Sequence, residues 1–384
     1  MISKSSRNSD FFQALAVLTG TIIGAGLFSL PYITAKVGIL TMLFYFLILG
    51  AVTILIGLLY GEIALRTKGS HRLPGYAEKY LGKRAKMIAF ISNSLGLTGS
   101  ILAYLIIGGS FLGSILNLSF GDSDFIYVFI FFLVGAILTY FGIGSIAKVE
   151  FFLLILFFFI LGFIFFKGFW MINVENLFNF NIKYLFLPYG AILFSLSGTT
   201  LVPEVKEILS KNPKKLKKLI LTAVLIAAIT YVFFIFLVLG ITGQNTSDNA
   251  ITGLGNYLGN GVIIIALLFG MLTVFTSFLT ISLTLKKILW YDLRFKKNLA
   301  WLIACLVPLA LFIIGFDDFI TVIALTGGVM LGIDVVIIIL VYLKAKIKGD
   351  LTPAYNLSIP KFLIYSLIIF FIIGIIYEII YFIR

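Results

Sequence analysis

Two short stretches place glycine and proline where an apolar helix would otherwise continue. Residues 18–31 read LTGTIIGAGLFSLP, and residues 187–203 read LPYGAILFSLSGTTLVP. Glycine costs a helix interior about 1 kcal/mol and proline about 3 kcal/mol, so each stretch predicts an interrupted helix. At such a break the free N–H groups attract an anion and the free carbonyl groups attract a cation. The two stretches are therefore candidate sites for a small charged or zwitterionic ligand.

The elements that must hold these breaks are helices in a lipid bilayer. Of the 384 residues, 61% are hydrophobic and 12% are charged, and the mean hydropathy is +1.15. A soluble domain has about 45–50% apolar and about 25% charged residues, whereas a membrane span needs about 20 apolar residues in a row. The apolar runs between charge clusters predict an all-α integral membrane protein with eleven transmembrane helices. The predicted spans are Phe11–Ala35, Ile39–Leu65, Met87–Leu116, Phe125–Ile143, Ile146–Phe166, Tyr184–Leu209, Leu219–Ile241, Val262–Leu285, Leu299–Ile314, Phe319–Leu343 and Phe362–Ile383.

The two interrupted stretches lie at matching positions in spans one and six. Each contains G-x-x-x-x-P, Gly26 to Pro31 and Gly198 to Pro203, and the offset is 172 residues in both cases. Five spans separate the breaks, and because five is odd, the second set of spans enters the membrane from the opposite side. Paired interruptions of this kind indicate an inverted repeat with its binding site at the membrane midplane. The alternative is that the glycines only allow close helix packing.

The basic residues predict the orientation of the spans. With the N-terminus in the cytoplasm, the inner segments hold 25 of the 29 basic residues, and the outer segments keep Lys36, Lys167, Lys183 and Arg384. This alternation is the positive-inside pattern, and it puts the C-terminus outside. It also accounts for the net charge of +13 without nucleic acid as a partner. We therefore expect a multi-pass protein of the plasma membrane, surrounded by the lipid bilayer.

Residues for covalent or metal chemistry are scarce. Cys305 and His71 are single residues of their types, which excludes a disulfide framework and argues against a Cys/His metal site. The sequence has neither an H-E-x-x-H nor a G-x-S-x-G motif, so a membrane-embedded enzyme is a weaker alternative. A channel is the second alternative, but no filter-like loop is evident. We therefore expect that the protein is not an enzyme and that it uses no cofactor apart from a coupling ion.

The residues around the breaks resemble a known superfamily. Residues 20–31, GTIIGAGLFSLP, resemble the first-helix signature of the amino acid–polyamine–organocation (APC) superfamily. Residues 191–204, AILFSLSGTTLVPE, resemble the sixth helix of its amino acid/auxin permease and hydroxy/aromatic amino acid permease branches. Residues 60–65, YGEIAL, are similar to the end of the second helix. The resemblance extends from span one to span ten.

This resemblance implies a fold and a function. The fold would be a single LeuT-like membrane domain over residues 1–384, a five-plus-five inverted repeat. Helices 1–5 would lie in residues 11–166, helices 6–10 in residues 184–343, and an extra helix 11 in residues 362–383. The function would be ion-coupled import of neutral or aromatic amino acids by alternating access. A permease for another small amine-containing solute remains an alternative, and the sequence leaves the amino acid and the oligomeric state open.

The resemblance also implies a substrate site between the breaks. The substrate carboxylate is expected on the backbone N–H groups of Gly24, Ala25 and Gly26, where glycine leaves the space that the ligand needs. The substrate ammonium is expected on carbonyl groups of both breaks. The residues concerned are Thr21, Ile22, Phe194, Ser195 and Ser197, with Gly198 in the second break. Tyr104 in span three would cover the substrate, or would be an ordinary core tyrosine.

The coupling ion stays open between sodium and a proton. Sodium-coupled relatives place hydroxyl groups of span eight against first-helix carbonyls. In this chain the corresponding metal site would be Gly20, Ile23, Thr276 and Ser277, with Thr273 on the same helical face. The hydroxyl groups could instead only bond within their own helix.

The proton alternative rests on Asp334. This residue lies ten positions before Lys344, about 15 Å along a helix, and is therefore deep in the hydrocarbon. A charge there costs about 2.5–3.5 kcal/mol and usually marks an ion path.

Overall fold

The computed structural model describes residues 4–116, 124–142 and 146–383, and every regular element in these ranges is helical. The α-helices are numbered in chain order. They are α1 (Lys4–Ile22), α2 (Gly26–Val37), α3 (Ile39–Arg66), α4 (Leu73–Leu81), α5 (Lys83–Leu116), α6 (Asp124–Phe141), α7 (Ile146–Gly168), α8 (Pro188–Leu196), α9 (Val202–Ile208), α10 (Leu216–Thr242), α11 (Gly255–Leu258), α12 (Asn260–Lys287), α13 (Lys297–Ile313), α14 (Phe319–Leu325), α15 (Gly332–Lys348) and α16 (Lys361–Ile383). The predicted end of the fourth span at Ile143 and the C-terminal Arg384 lie outside the described residues.

Membrane-spanning helices make up most of the described chain. Seven stretches in it are each long and apolar enough to cross a bilayer, namely α3, α5, α7, α10, α12, α14 with α15, and α16. Asp10–Ile22 and Gly26–Val37 are long and apolar enough only when taken together, and they are bent by 45° at their break, which gives up to eight spans. The chain is therefore a multi-pass membrane protein. Phe125–Phe141 and Lys297–Ile313 are shorter apolar helices, and α8 and α9 have 9 and 7 residues. The count of eleven spans thus stays a prediction.

The helices with breaks lie inside the bundle. Helix α1 packs against α7, α9 and α10, and α8 packs against α2, α3 and α14. The outer surface carries large apolar side chains such as Phe166 and Trp170, which are 84% and 88% exposed. Because water would penalise such exposure, these side chains fit a surface covered by lipid. The breaks are therefore enclosed by protein, the setting that exposed backbone needs at membrane depth.

Polar contacts join the loops at one end of the bundle, which we call the N-terminal face. Lys215, just before α10, lies over the Phe11 ring near the start of the chain, at 5.4 Å from its centroid. Arg72, before α4, pairs with Glu204 of α9 at 3.1 Å. Lys79 of α4 pairs with Asp350, after α15. These loops are ones that the charge pattern assigns to a single side.

A second set of contacts joins loops at the opposite face. The Asn179 amide donates to the Ala35 carbonyl at 3.1 Å, and the Asn176 amide donates to the Gly240 carbonyl at 2.9 Å. The charge pattern assigns these segments to the other side. The contacts at the two faces therefore agree with the predicted alternation of the loops.

Candidate functional site

Both predicted breaks are present. Helix α1 ends at Ile22 and α2 begins at Gly26. Helix α8 ends at Leu196, a 3-10 turn follows over Thr199–Leu201, and α9 begins at Val202. The prolines do not mark the breaks, since Pro31 lies inside α2 and Pro203 lies in the first turn of α9. The breaks lie instead in the glycine-containing segments that precede the prolines.

The first break leaves backbone groups without backbone partners. The N–H groups of Ile23 and Gly24 turn back to the carbonyls of Thr19 and Ile22, at 2.8 Å and 2.7 Å. Within the described ranges, some of the neighbouring groups therefore neither donate nor accept a backbone hydrogen bond. They are the carbonyls of Gly20, Thr21 and Ile23 and the N–H groups of Ala25 and Gly26. Unpaired N–H groups at the start of α2 form an anion site.

These backbone hydrogen bonds reduce the number of groups that are available to contact a substrate. The N–H group of Gly24 donates to the Ile22 carbonyl in this conformation, so its role as a carboxylate contact stays a prediction. The carbonyl of Phe194 likewise accepts the Ser197 N–H at 3.2 Å. The Ala25 and Gly26 N–H groups remain for an anion, and the Thr21 carbonyl remains for a cation.

Tyr231 of α10 joins the two breaks. Its buried hydroxyl lies within hydrogen-bond distance of the Ile22 carbonyl and 2.8 Å from the Ser195 carbonyl. A hydroxyl has one proton, so the two carbonyls share it. The contact of Tyr231 with the breaks was not predicted from the sequence, because Tyr231 is one tyrosine in an apolar span.

The two breaks also pack directly on each other. A Cβ added at Gly26 would lie 2.3 Å from Ser195 Oγ and 2.7 Å from Ser195 Cα. A Cβ added at Gly198 would lie 2.7 Å from Ile22 Cγ1. In each break a glycine therefore packs directly against the end of the helix that precedes the other break. Gly26 thus sets the distance between the two helices, and its role in leaving space for a ligand stays a prediction.

A cavity lies between the breaks, and nine of the ten predicted substrate residues line it. They are Thr21, Ile22, Gly24, Gly26, Tyr104, Phe194, Ser195, Ser197 and Gly198. Ala25 is the one that does not line it. Tyr104 approaches the first break closely, because a Cβ added at Gly24 would lie 2.8 Å from its hydroxyl oxygen. The buried hydroxyl of Thr21 has no hydrogen-bond partner in the described chain and is thus free to bind a ligand.

The remaining lining residues were not predicted. Helix α5 contributes Asn93, Gly96, Leu97 and Ser100, which share one helical face with Tyr104. The others are Thr200, Leu201, Ile281 and Leu331. None of the residues that line this cavity is charged.

A second cavity extends toward the N-terminal face. It shares Asn93 and Thr200 with the first cavity and also contacts Asp334 and Arg72. Asp334 is buried, and its carboxylate accepts hydrogen bonds from the Ser92 hydroxyl and from Asn93 Nδ2, the latter at 2.8 Å. Asp334 therefore lies beside the substrate cavity without lining it.

Arg72 closes the second cavity at the N-terminal face. Its guanidinium bonds Glu204 at 3.1 Å and Glu207 at 3.3 Å, both on α9. Burial alone would lower the pKa of Arg72, but the two carboxylates outweigh burial and raise the pKa above its ordinary value. The ion pairs link α4 to the inner half of a broken span.

The candidate sodium residues lie around a separate cavity. Gly20, Ile23, Thr273 and Thr276 line it, together with apolar residues of α7. The Thr273 hydroxyl is buried without a hydrogen-bond partner in the described residues, and the Thr276 hydroxyl donates to the Thr273 carbonyl at 3.0 Å. Ser277 is buried but is not among the lining residues. The arrangement favours Thr273 with Thr276 over the predicted pair of Thr276 and Ser277.

Known structures share this fold. The structure of MhsT in complex with L-phenylalanine matches with a TM-score of 0.66 at 17% identity, over 99% of this chain and 98% of MhsT. The structure of Mhp1, a nucleobase-cation-symport-1 family transporter, in a closed conformation with bromovinylhydantoin bound matches with a TM-score of 0.65 at 13% identity, over 85% of this chain and 77% of Mhp1. At these identities the likeness concerns the fold, and it confirms the predicted LeuT-like class.

Sequence relatives are transporters. The tyrosine-specific transport system 1 of Haemophilus influenzae is 28% identical over 283 residues, which cover 70% of each chain. The glutamine transporter 2 of Aliivibrio fischeri is 22% identical over 340 residues, 84% of this chain and 86% of the relative. The sequence profile of the tryptophan/tyrosine permease family matches residues 7–378. Because that match covers almost the whole chain, the protein belongs to the tryptophan/tyrosine permease family.

Proposed function

We propose that this permease is a secondary active transporter that imports neutral or aromatic amino acids through the plasma membrane. The observation that carries the proposal is the pair of breaks, packed on each other around one cavity, with unpaired N–H groups at Ala25 and Gly26. The relatives are transporters, which argues against the enzyme alternative.

The substrate would lie with its charged end at the breaks. Its carboxylate would accept from the N–H group of Gly26, which lines the cavity, where the helix dipole of α2 adds to the attraction. The adjacent N–H group of Ala25, which does not line the cavity in this conformation, would turn toward the carboxylate when the ligand binds. Its ammonium would donate to the Thr21 carbonyl and to the unpaired Thr21 hydroxyl, both beside the first break. A zwitterion matches both ends of the break at once, whereas a simple amine leaves the N–H groups unpaired.

The cavity supports a neutral side chain. Among the described residues, none that is acidic or basic lines it, and burying a charged side chain without a partner would cost several kcal/mol. The relatives fit this preference, since one is named for tyrosine and another for glutamine. A solved structure of the same fold contains L-phenylalanine.

The orientation of the transporter follows from its charge pattern. The N-terminal face carries most of the basic residues, so we place it in the cytoplasm. In this conformation Arg72 and its two carboxylates lie between the second cavity and that face. Alternating access would require these ion pairs to separate when the substrate leaves toward the cytoplasm.

Sodium is the coupling ion that we propose. Hard cations take oxygen ligands, and the cavity at α12 offers the unpaired carbonyls of Gly20 and Ile23 with the hydroxyls of Thr273 and Thr276. Asp334, the basis for proton coupling, accepts hydrogen bonds from Ser92 and Asn93 and does not line this cavity.

Counterflow in proteoliposomes tests the proposal. Vesicles loaded with unlabelled L-tyrosine should transiently concentrate labelled L-tyrosine from outside, and excess external substrate should saturate the exchange. A channel equilibrates the label without an overshoot, and an enzyme changes it chemically. If none of the twenty amino acids gives counterflow, the protein is not an amino acid carrier.

A further inference from the structure

Asn93 lies where the substrate cavity meets the second cavity. It lines both, and it is 5% exposed. Its neighbours on the same face of α5 are Gly96, Ser100 and Tyr104, so this face runs from the junction of the cavities to the first break. Asn93 thus places a polar side chain at the end of the substrate cavity that is farther from Tyr104.

The chemistry of Asp334 fixes the direction of the Asn93 amide. A carboxylate oxygen accepts hydrogen bonds, and the NH₂ group of Asn93 is the end of the amide that faces Asp334. The distance from Nδ2 to Asp334 Oδ2 is 2.8 Å, and the Ser92 hydroxyl bonds the other carboxylate oxygen. The carbonyl oxygen of Asn93 is therefore turned away from Asp334. Because Asn93 lines both cavities, this oxygen is the end of the amide that is left to face them.

We propose that Asn93 Oδ1 selects substrates with a hydrogen-bond donor at the end of the side chain. The phenol O–H of tyrosine, the indole N–H of tryptophan and the carboxamide N–H of glutamine are such donors. Phenylalanine and leucine lack one, so they would leave this buried acceptor unpaired. The inference rests on the proposed transport function and adds a specificity-determining residue to its site.

The spacing along α5 suits a long side chain. Asn93 precedes Tyr104 by eleven residues, about 16 Å along the helix axis. Long side chains in helices extend toward the N-terminus, so the Tyr104 ring covers part of that distance. A substrate held at the first break beside Tyr104 would reach Asn93 with an extended side chain, whereas alanine or serine would not.

Asp334 acquires a role that differs from proton transfer. By holding the NH₂ group of Asn93, it keeps Oδ1 toward the cavity and acts as a positioning residue. The competing explanation is that Asn93, Ser92 and Asp334 only fasten α5 to α15. Ser92 separates the two explanations, because it bonds Asp334 but does not line the cavity.

Competition binding on the detergent-purified full chain tests the inference. The wild type should prefer L-tyrosine to L-phenylalanine by about tenfold, which corresponds to about 1.4 kcal/mol. Asn93→Ala should bring the two affinities together by weakening tyrosine and sparing phenylalanine. Ser92→Ala should keep the wild-type ratio. An unchanged ratio in Asn93→Ala, or an equal loss of the ratio in Ser92→Ala, would overturn the inference.

A ligand series on the wild-type protein gives the same test without a mutation. 4-Aminophenylalanine carries a donor at the ring end and should bind like tyrosine. 4-Fluorophenylalanine has no donor and should bind like phenylalanine. Equal binding of the two analogues refutes the role of Asn93 while leaving transport intact. If the wild type binds neither of them nor any of the twenty amino acids, the proposed function itself fails, and this inference fails with it.

Discussion

Gly26→Ala should abolish amino acid uptake. The added Cβ would lie 2.7 Å from Ser195 Cα, which is backbone and cannot rotate away. The substitution therefore forces the two broken helices apart and also crowds the N–H groups that we assign to the carboxylate. Overpacking of this kind costs about 1–3 kcal/mol of stability, so we expect a folded protein with a lower Tm and no measurable uptake in proteoliposomes.

Gly162→Ala is the matched control. Gly162 lies in α7, and a Cβ added there would meet nothing within 4 Å. It makes the same chemical change in another apolar span, so it should keep wild-type uptake. Wild-type substrate affinity in Gly26→Ala would show that the breaks do not form the binding site.

Replacing both Thr273 and Thr276 by alanine should remove the dependence of uptake on sodium. A hydrogen bond to a charged group contributes about 1.5–3 kcal/mol. If each contact between a hydroxyl and sodium is of that size, losing both should weaken apparent sodium affinity by at least about a hundredfold. In proteoliposomes at equal pH, an inward sodium gradient should drive accumulation by the wild type but not by the double variant. Exchange without a gradient should persist.

Thr284→Ala is the control on the same helix. Its hydroxyl bonds the Thr280 carbonyl at 2.8 Å, and Thr284 does not line the sodium cavity. It should leave the sodium response unchanged. Accumulation by the double variant in sodium-free buffer under an inward proton gradient would refute sodium coupling. That result would favour proton coupling through Asp334.

The breaks and most of the cavity were predictable because they have a local signature. Glycine and proline disfavour a helix wherever they occur in an apolar run, and the matching offset of Gly26 and Gly198 indicated the repeat. The family motifs at those positions then gave nine of the residues that line the cavity. The predicted membership of an amino acid permease branch and the helical fold class are confirmed.

The missed residues are those whose role depends on distant partners. Tyr231 contacts Ile22, 209 positions earlier, and Asn93 contacts Asp334, 241 positions later. Both lie in largely apolar helices, and nothing around them in the sequence indicates the partner. The direction of the Gly24 N–H was hidden for a related reason, since only the folded turn shows that it points back to Ile22.

The binding of the substrate carboxylate at the first break is tested most directly by comparing an amino acid with the amine that lacks its carboxylate. Whichever of the twenty amino acids binds best to the purified protein should be measured by isothermal titration against its decarboxylated form; for tyrosine this form is tyramine. If the N–H groups of Ala25 and Gly26 hold the carboxylate, removing it costs about 1.5–3 kcal/mol for each bond. We therefore expect the amine to bind at least about a hundredfold more weakly than the amino acid. Comparable affinity for the amine would contradict the assignment of the break as the carboxylate site and would favour a transporter of another amine-containing solute.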